Sequence, residues 1–592
     1  MKEKQFVNLL DAPYSRRGSY ITFANDNYGE NIIGKSNLWL CNCRTVGFAM
    51  TNMGATNNYR QILLQATKDG FPLPAYVNST AYEVILQTNY GEIRFCIGER
   101  SLVMARGTDG LGLRVTPLAK LYQPASLAVT DNPNRRMMDF DMSRMMLTPL
   151  IGTIYARQEF IDLLPDGNGI VQAAFEDFLL DPDLRDIQDY PSYEACVQNV
   201  RDEFDTFCEK IMPSLPGEYE QMRLQALWQT WNMMVDPDEE NDYKRTMVKM
   251  VHSIFEQAFV WQMPMQAVWL SNDPKLSWEI LCSSFEFQDK HGRLSDAVSF
   301  KAVPGSPAMK PPVQGMALLW LMDHGIIEAA QPSLAEKQWL LERLIKWTDF
   351  YYNYRDSDRD GLCEYFRFLE TGWEDAPQYM LGMPLASPDL NALLALQLEA
   401  IARFGATVGM PDSEQKRYMK RSKKTIDLLL KHFWDGERWS CFQVETGQRS
   451  DTDNLSLHLP LILGDRIPKD VIEKSIQNLF REGGFNSPYG ITSEAMDSKY
   501  FHHGFAAGSV ITPAHFFMCM ALDACDRHDL ASEIANKYCK TLKEHGFFHI
   551  NNALTGKEDR SLTAFGERGL FWSAWTSSCY LFLAAQYGNE KR

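Results

Sequence analysis

The sequence has no long hydrophobic run, no basic excess and no clustered cysteines, and each absence removes a class of function. Its longer apolar stretches, such as Met316 to Met322, fall far short of the roughly 20 residues that cross a bilayer. The opening residues, MKEKQFVNLLDAPYSRRG, lack the continuous apolar segment and small-residue cleavage site of a signal peptide. The expectation is a cytoplasmic protein with no membrane partner. Lysine and arginine number 59 against 76 acidic residues, a formal net charge of -17, and no basic run exceeds a few residues. Such a chain repels phosphate backbones at long range, which disfavours nucleic acid as a partner.

The 12 cysteines are scattered from Cys41 to Cys579, and Cys282, Cys519 and Cys579 lie within helix-like apolar patterns. That distribution predicts reduced, packed thiols. Only Cys41 and Cys43 are close together. A CxC with no second pair nearby lacks the ligands of a zinc site, and on an alternating strand both would face one side as core.

What is present is 592 residues, 45% apolar and 23% charged, the profile of a globular chain of about two domains. Up to about residue 185, short strands alternate with Gly, Asn and Asp: Tyr20 to Phe23, Leu38 to Cys43, Thr45 to Met50, Tyr82 to Gln87, Ile93 to Cys96 and Leu102 to Ala105. Asn89-Tyr-Gly-Glu92 reads as a hairpin turn, and Gly169 to Asp181 as a further strand followed by a loop. This pattern predicts an antiparallel β-sandwich over residues 1–185. The amphipathic stretch YEACVQNVRDEFDTFCEKIM predicts a helical linker within 186–216, ending at Pro213 and Pro216.

Beyond residue 217 the pattern becomes helical. Ser333 with Glu336 forms a capping box, Ser387-Pro388 and Thr512-Pro513 open helices, and a helix ends before Gly483-Gly484. About a dozen helical segments without an exact repeat suit paired helices closed into a ring over 217–592, with a polar cup lined by loops.

The stretch YRDSDRDGLCEYFRFLETGWEDAPQY, from Tyr354 to Tyr379, carries two motifs. Asp356, Asp358, Asp360, Leu362 and Glu364 match positions one, three, five, seven and nine of a calcium loop, with Gly361 at the tight turn. Position twelve is Arg367, so a standard EF-hand is excluded and further ligands must come from elsewhere; a solvated acidic turn is the alternative. The second motif is Glu370-Thr-Gly-Trp-Glu374-Asp375-Ala-Pro377. A carboxylic acid beside an indole face suits a glycosidase: the sugar stacks on the ring, and partial desolvation keeps the acid protonated. A helix-capping loop is the alternative.

These residues resemble the (α/α)6 glycoside hydrolases of family 63 and their mannosylglycerate-hydrolase-like relatives, and more distantly the trehalases. The resemblance runs over about residues 217–587 through Phe259-Val-Trp-Gln262, NDPKLSWEILCSSFEFQDKHGRL, Lys310-Pro-Pro-Val-Gln314, DSDRDGLCEY, ETGWEDAP, SPDLNALL, GSVITP, FHINNALTG and FWSAW. It implies a mostly α fold, an (α/α)6 barrel preceded by a β-sandwich, and calcium in the acidic loop. It also implies an inverting O-glycosyl hydrolase in which Glu374 protonates the departing oxygen, with Asp375 beside it.

The resemblance places the second catalytic carboxylate at His549. An inverting mechanism pairs two carboxyls about 6.5–9.5 Å apart, so either His549 serves as base or a nearby acid replaces it, with Glu567 preferred over Glu558 and Asp559. Trp261, Trp373 and Trp572 are candidate stacking faces, and Gln262 and Gln314 candidate partners for hydroxyls. His502 and His503 are expected to shape the pocket without binding zinc. Gln262 and Ile511 stand where the family usually has Asp and Trp, and an expected arginine is absent from HHGFAAGS.

The function implied is exo-hydrolysis of a small glycoside or short oligosaccharide, of α-glucoside or α-mannoside type, with the carbohydrate as partner. The departures leave open a non-hydrolytic carbohydrate-binding protein, or a phosphorylase or epimerase of the same fold.

Overall fold

A computed structural model describes residues 5–26, 37–42, 61–118, 126–129, 132–140, 144–178, 185–237, 243–251, 258–298, 308–559 and 572–588. The chain forms two compact units. The first comprises Met1–Glu209, Leu227–Asp236 and Lys249–Glu256; the second comprises Lys210–Ala226, Pro237–Val248 and Gln257–Arg592.

The first unit contains two antiparallel sheets. One orders its strands Ile21–Asp26, Asn37–Asn42, Ile62–Lys68, Gly112–Pro117, Ile161–Leu164 and Thr153–Ala156, with Phe71–Pro72 beside Ile62–Lys68. The other runs Leu127–Val129, Asn132–Asp139, Arg144–Ile151, Val171–Phe178, Leu102–Gly107, Glu92–Glu99, Val84–Gln87 and Tyr76–Ser79. Phe23 of the first sheet meets Phe95 of the second at 5.5 Å between ring centroids, so their apolar faces close on one another as a sandwich. The turn at residues 88–91 closes as expected, with Thr88 N donating to Gly91 O and Gln87 opposite Glu92. The expected strand Thr45 to Met50, and Cys43, lie outside the described residues.

Helix Tyr193–Ile211 is counted with this unit as far as Glu209 and does not stand apart as a linker. Its inward residues hold it: Phe204 packs edge-on against Tyr82 and tilted against Trp231, and Tyr193 donates its hydroxyl to Glu83. The same amphipathic periodicity that marks a solvent-facing linker suits a helix laid along a sheet.

In the second unit, burial sorts the helices into two layers. Seventeen of the twenty residues of Pro388–Thr407 are buried, against six of the twenty-two in Asp412–Phe433. Helices apolar on all sides belong inside a bundle, and those with one apolar stripe cover it. Among the described residues, six inner segments touch in a closed ring: Gln262–Trp269, Gln314–Asp323, Pro388–Thr407, Leu455–Arg466, Thr512–Ala524 and Ala574–Tyr587, the last returning to the first. Pro274–Ser283, Leu334–Tyr354, Asp412–Phe433, Lys469–Phe480 and His528–His545 alternate with them in sequence and pack outside. This is the (α/α)6 arrangement.

The capping box at Ser333 and Glu336 is formed, and a proline stands in the first turn at Pro388 and at Pro513. The described cysteines are unpaired thiols, all buried except the half-buried Cys525. No described helix is long and apolar enough to cross a membrane.

Candidate active site

The loop Glu370 to Pro377 is anchored before it is functional. Glu370, almost fully buried, takes the Arg355 guanidinium at 2.8 Å and the Phe366 N–H at 3.0 Å. Thr371 Oγ1 accepts from Trp373 N, and Gln378 donates to Ser456 Oγ at 2.9 Å. Gly372 has φ 75°, a left-handed conformation suited to glycine, and a Cβ there would lie 2.5 Å from the Trp261 indole. The loop therefore passes directly over Trp261.

Glu374 and Asp375 emerge on one wall of a cavity of about 610 Å³, whose other walls include Phe368, Met380, Met383, Phe501 and His502. The two carboxylates have different partners. Glu374 is ion-paired with the buried Lys310, whose ammonium also donates to Leu369 O at 2.8 Å and lies 3.8 Å from Asp296. Tyr351 holds the Lys310 backbone by donating to its carbonyl at 2.7 Å. Burial alone would lower the Lys310 pKa; Asp296 and Glu374 outweigh it and raise the ammonium above its ordinary range. Burial pushes the Asp296 carboxyl up to about 6, against the opposing pull of Lys310.

Asp375 reaches solvent through the cavity and accepts from Ala506 N at 2.6 Å. Its carboxyl pKa is raised, chiefly by desolvation, and the Ala506 N–H offsets part of that rise. Asn454 props the far side of the contact: its amide donates to Ala506 O at 2.8 Å and to Glu494 at 3.1 Å. Lys310, Asp296, Asn454 and Glu494 were not singled out as site residues from the sequence. A lysine inside the apolar run Ala308-Met-Lys-Pro-Pro-Val313 was a legible sign of a buried cation, whereas nothing local marks the other three.

Behind this wall, Phe505 stacks on His549 at 5.5 Å, His549 on Trp575 at 5.1 Å, and Trp575 meets Trp261 edge-on at 5.1 Å. Gln262, fully buried, has no partner for either amide atom among the described residues; His549 Nδ1 and Trp575 Nε1 also have none. Burial lowers the His549 pKa to about 3. An imidazole with so little proton affinity is a weak base at neutral pH.

Three other candidate binding residues are occupied in packing. Gln314 accepts from Trp347 Nε1 at 3.1 Å; Trp373 is 1% exposed; and Trp572 lies against Phe547. Of the binding candidates, Trp261 and Gln262 alone join the layer behind the carboxylates. Glu567 lies outside the described residues. Asp559 is buried and accepts from Ser509 Oγ at 2.8 Å, while the half-exposed His503 approaches it at 3.9 Å.

In the acidic loop, carboxylate oxygens of Asp356, Asp358 and Glu364 lie within 4.8 Å of one another. Asp360 is not with them: it accepts from Leu362 N at 2.7 Å. Burial, followed by the neighbouring acids, raises the pKa of both Asp356 and Glu364, with backbone or Ser357 hydrogen bonds opposing.

Residues 260–573 match the family model of the mannosylglycerate hydrolase MGH1-like glycoside hydrolase domain. The chain belongs to this family. The match covers both acidic motifs and five of the six inner segments of the ring, ending just before Ala574–Tyr587. No curated protein matches the chain. Among solved structures, a bacterial glucoamylase complexed with acarbose is similar over 99% of this chain and 95% of its own, with 11% identity and a TM-score of 0.60, a likeness of fold. A GH63 mannosylglycerate hydrolase from Thermus thermophilus in complex with glucose has 16% identity and a TM-score of 0.49, covering 57% of this chain and 95% of that one. Neutral trehalase from Saccharomyces cerevisiae has 13% identity and a TM-score of 0.41, over 57% and 72%.

Proposed function

We propose that the protein is an inverting, exo-acting glycosidase of a small α-glucoside or α-mannoside, with Asp375 as the proton donor. The observation that carries this is the unequal environment of the adjacent carboxylates on the cavity wall. Glu374 is committed to an ion pair with Lys310, while Asp375 has a raised pKa and no cation partner among the described residues. Desolvation shifts a carboxyl towards its protonated form, the direction a general acid requires. The donor role that the resemblance assigns to Glu374 therefore shifts by one residue. Glu374 and Lys310 set the field at the departing oxygen.

The sugar is read as lying towards Trp261, Gln262, His549 and Trp575. Buried amide, imidazole and indole groups without partners among the described residues are suited to hydroxyls. The base is drawn from the segment after His549, where Glu558 and Asp559 are the described carboxylates and Glu567 the other candidate. The family's name, with its mannosyl group, and the similarity in fold to a glucoamylase complexed with acarbose support a hexose in the donor position.

Calcium is proposed as a structural ion held by Asp356, Asp358 and Glu364. Three converging hard oxygens, two of them on acids whose pKa burial has raised, fit a divalent cation. It would neutralise the loop and takes no part in proton transfer.

Asp375→Asn is expected to lower kcat by about 10²–10⁴-fold on a responsive α-glycoside. Proton NMR of the first product formed by the unaltered protein should show the β-anomer. Retention of near-full turnover by Asp375→Asn overturns the assignment of the acid, and an α-product overturns inversion. A second reading, a non-hydrolytic sugar-binding protein, is favoured by His549 at the expected base position. It predicts hexose binding by calorimetry with no release of reducing sugar.

A further inference from the structure

The cavity in front of Glu374 and Asp375 is lined mainly by apolar side chains. Phe368, Pro377, Met380, Met383 and Phe501 supply the apolar part of its walls away from the carboxylates, with Tyr379, Lys499, Tyr500 and His502 beside them. Phe368 and Met380 are 51% and 68% exposed, so the mouth presents large apolar side chains to water, which is costly unless an apolar group covers them.

Several polar groups at the rim are engaged, His502 Nδ1 among them, which donates to the Tyr500 carbonyl at 2.8 Å. Lys499, the one ammonium among the described lining residues, donates to Asp451 at 2.7 Å, and the Tyr500 hydroxyl donates to the same carboxylate at 2.9 Å. Asp375 Oδ1 is taken by Ala506 N. Lys310, the nearest buried cation, is shared between Glu374 and Asp296, so the charge near the cut bond is net negative. A carboxylate on the leaving group would meet repulsion here, and a sugar's hydroxyls would find few partners.

We propose that this cavity receives the leaving group of the substrate, and that the leaving group is an uncharged aromatic alcohol of one or two fused rings. The inference rests on the glycosidase reading above. In that reaction the glycosidic C–O bond breaks, the aromatic oxygen takes the proton of Asp375, and water adds its oxygen to the sugar carbon while losing a proton to the base. Atoms and charge balance without a further reactant. About 610 Å³ holds a bicyclic ring, and the thioether side chains of Met380 and Met383 can pack against an aromatic edge.

The test uses the full chain with 2-naphthyl, methyl and glyceric-acid α-glycosides of glucose and mannose, and separately with free 2-naphthol, whose binding is followed by fluorescence. The expected result is kcat/KM at least about tenfold higher for the naphthyl glycoside than for the glyceric-acid glycoside of the same sugar. Naphthol should bind, and Met380→Asp, at an exposed position that tolerates charge, should weaken its binding and lower the naphthyl-to-methyl ratio of kcat/KM by roughly tenfold. Naphthol binding that responds to Met380→Asp without turnover of any glycoside supports the aromatic cavity and sinks the glycosidase reading. Turnover with no aryl preference and no naphthol binding overturns this inference and leaves the glycosidase reading standing. A preference for the glyceric-acid glycoside also overturns it.

Discussion

Lys310 is 6% exposed on its side chain and faces two carboxylates, Glu374 and Asp296. Removing the cation leaves both acids without their main counter-charge. Lys310→Met is expected to cost about 3 kcal/mol of stability in urea titrations at pH 7, the usual penalty for breaking a buried pair from one side. Protonation relieves the loss, so the deficit should shrink as the pH is lowered towards 5. A variant equally destabilised at pH 5 and pH 8 would contradict the proposed coupling. The ETGWEDAP motif was legible as a place for acid chemistry. The unequal surroundings of its two carboxylates were not, because they depend on Lys310, sixty-four residues away from Glu374 along the chain, and on Ala506, one hundred and thirty-one residues away from Asp375.

The acidic loop and the loop that carries Glu374 and Asp375 lie in one connection, residues 355–387, between helices Leu334–Tyr354 and Pro388–Thr407. Strand Glu364–Tyr365 pairs with Leu385–Ala386, which in turn pairs with Phe442–Gln443. This small sheet clamps the base of the loop that carries Glu374 and Asp375, and Glu364 is both a strand residue and a member of the acidic cluster. Calcium is expected to raise the thermal midpoint by a few degrees and chelator to reverse the gain, with Glu364→Gln abolishing the response. A midpoint indifferent to calcium rules the ion out.

At the same scale, Gly372→Ala combines a left-handed backbone with a methyl 2.5 Å from Trp261. It should cost on the order of 1–3 kcal/mol and displace the acid, seen as a fall in kcat larger than any change in KM. Helix positions and caps followed from periodicity and from Ser333, Pro388 and Pro513. The small sheet did not, because two-residue strands carry no pattern and exist only by pairing.

Across the molecule, buried histidines set a limit in acid. Burial lowers the pKa of both His515 and His549 to about 3, and His515 is further committed to neutrality because its Nε2 accepts from Ile491 N at 2.9 Å. An unfolded imidazole titrates near 6.5, so between about pH 6.5 and 3 the unfolded chain binds more protons than the folded one. Stability is therefore lost as pH falls through that window. Asp296 acts oppositely: raised to about 6, it takes up its proton in the folded state first, and it offsets part of the loss between about pH 6 and 4. His549→Phe should reduce the acid slope of the unfolding free energy by up to one proton, about 1.4 kcal/mol per pH unit, while retaining the stack between Phe505 and Trp575. An unchanged slope would show that His549 is protonated in the folded protein.

The sequence alone determined the quantities that are local or periodic. These are the change from alternating strands to helical stripes near residue 190, the caps, the acidic loop and the two neighbouring carboxylates. It also carried the ordered motifs by which the family resemblance could be recognised. The tertiary structure decided which of those groups share an environment. It buried Trp373 and Gln314, drained His549 of proton affinity, tied Lys310 to Glu374 and set Asp375 against the Ala506 backbone. Desolvation and charge pairing depend on distances across the folded chain, and a carboxylate acquires its proton affinity only from the groups that folding places around it.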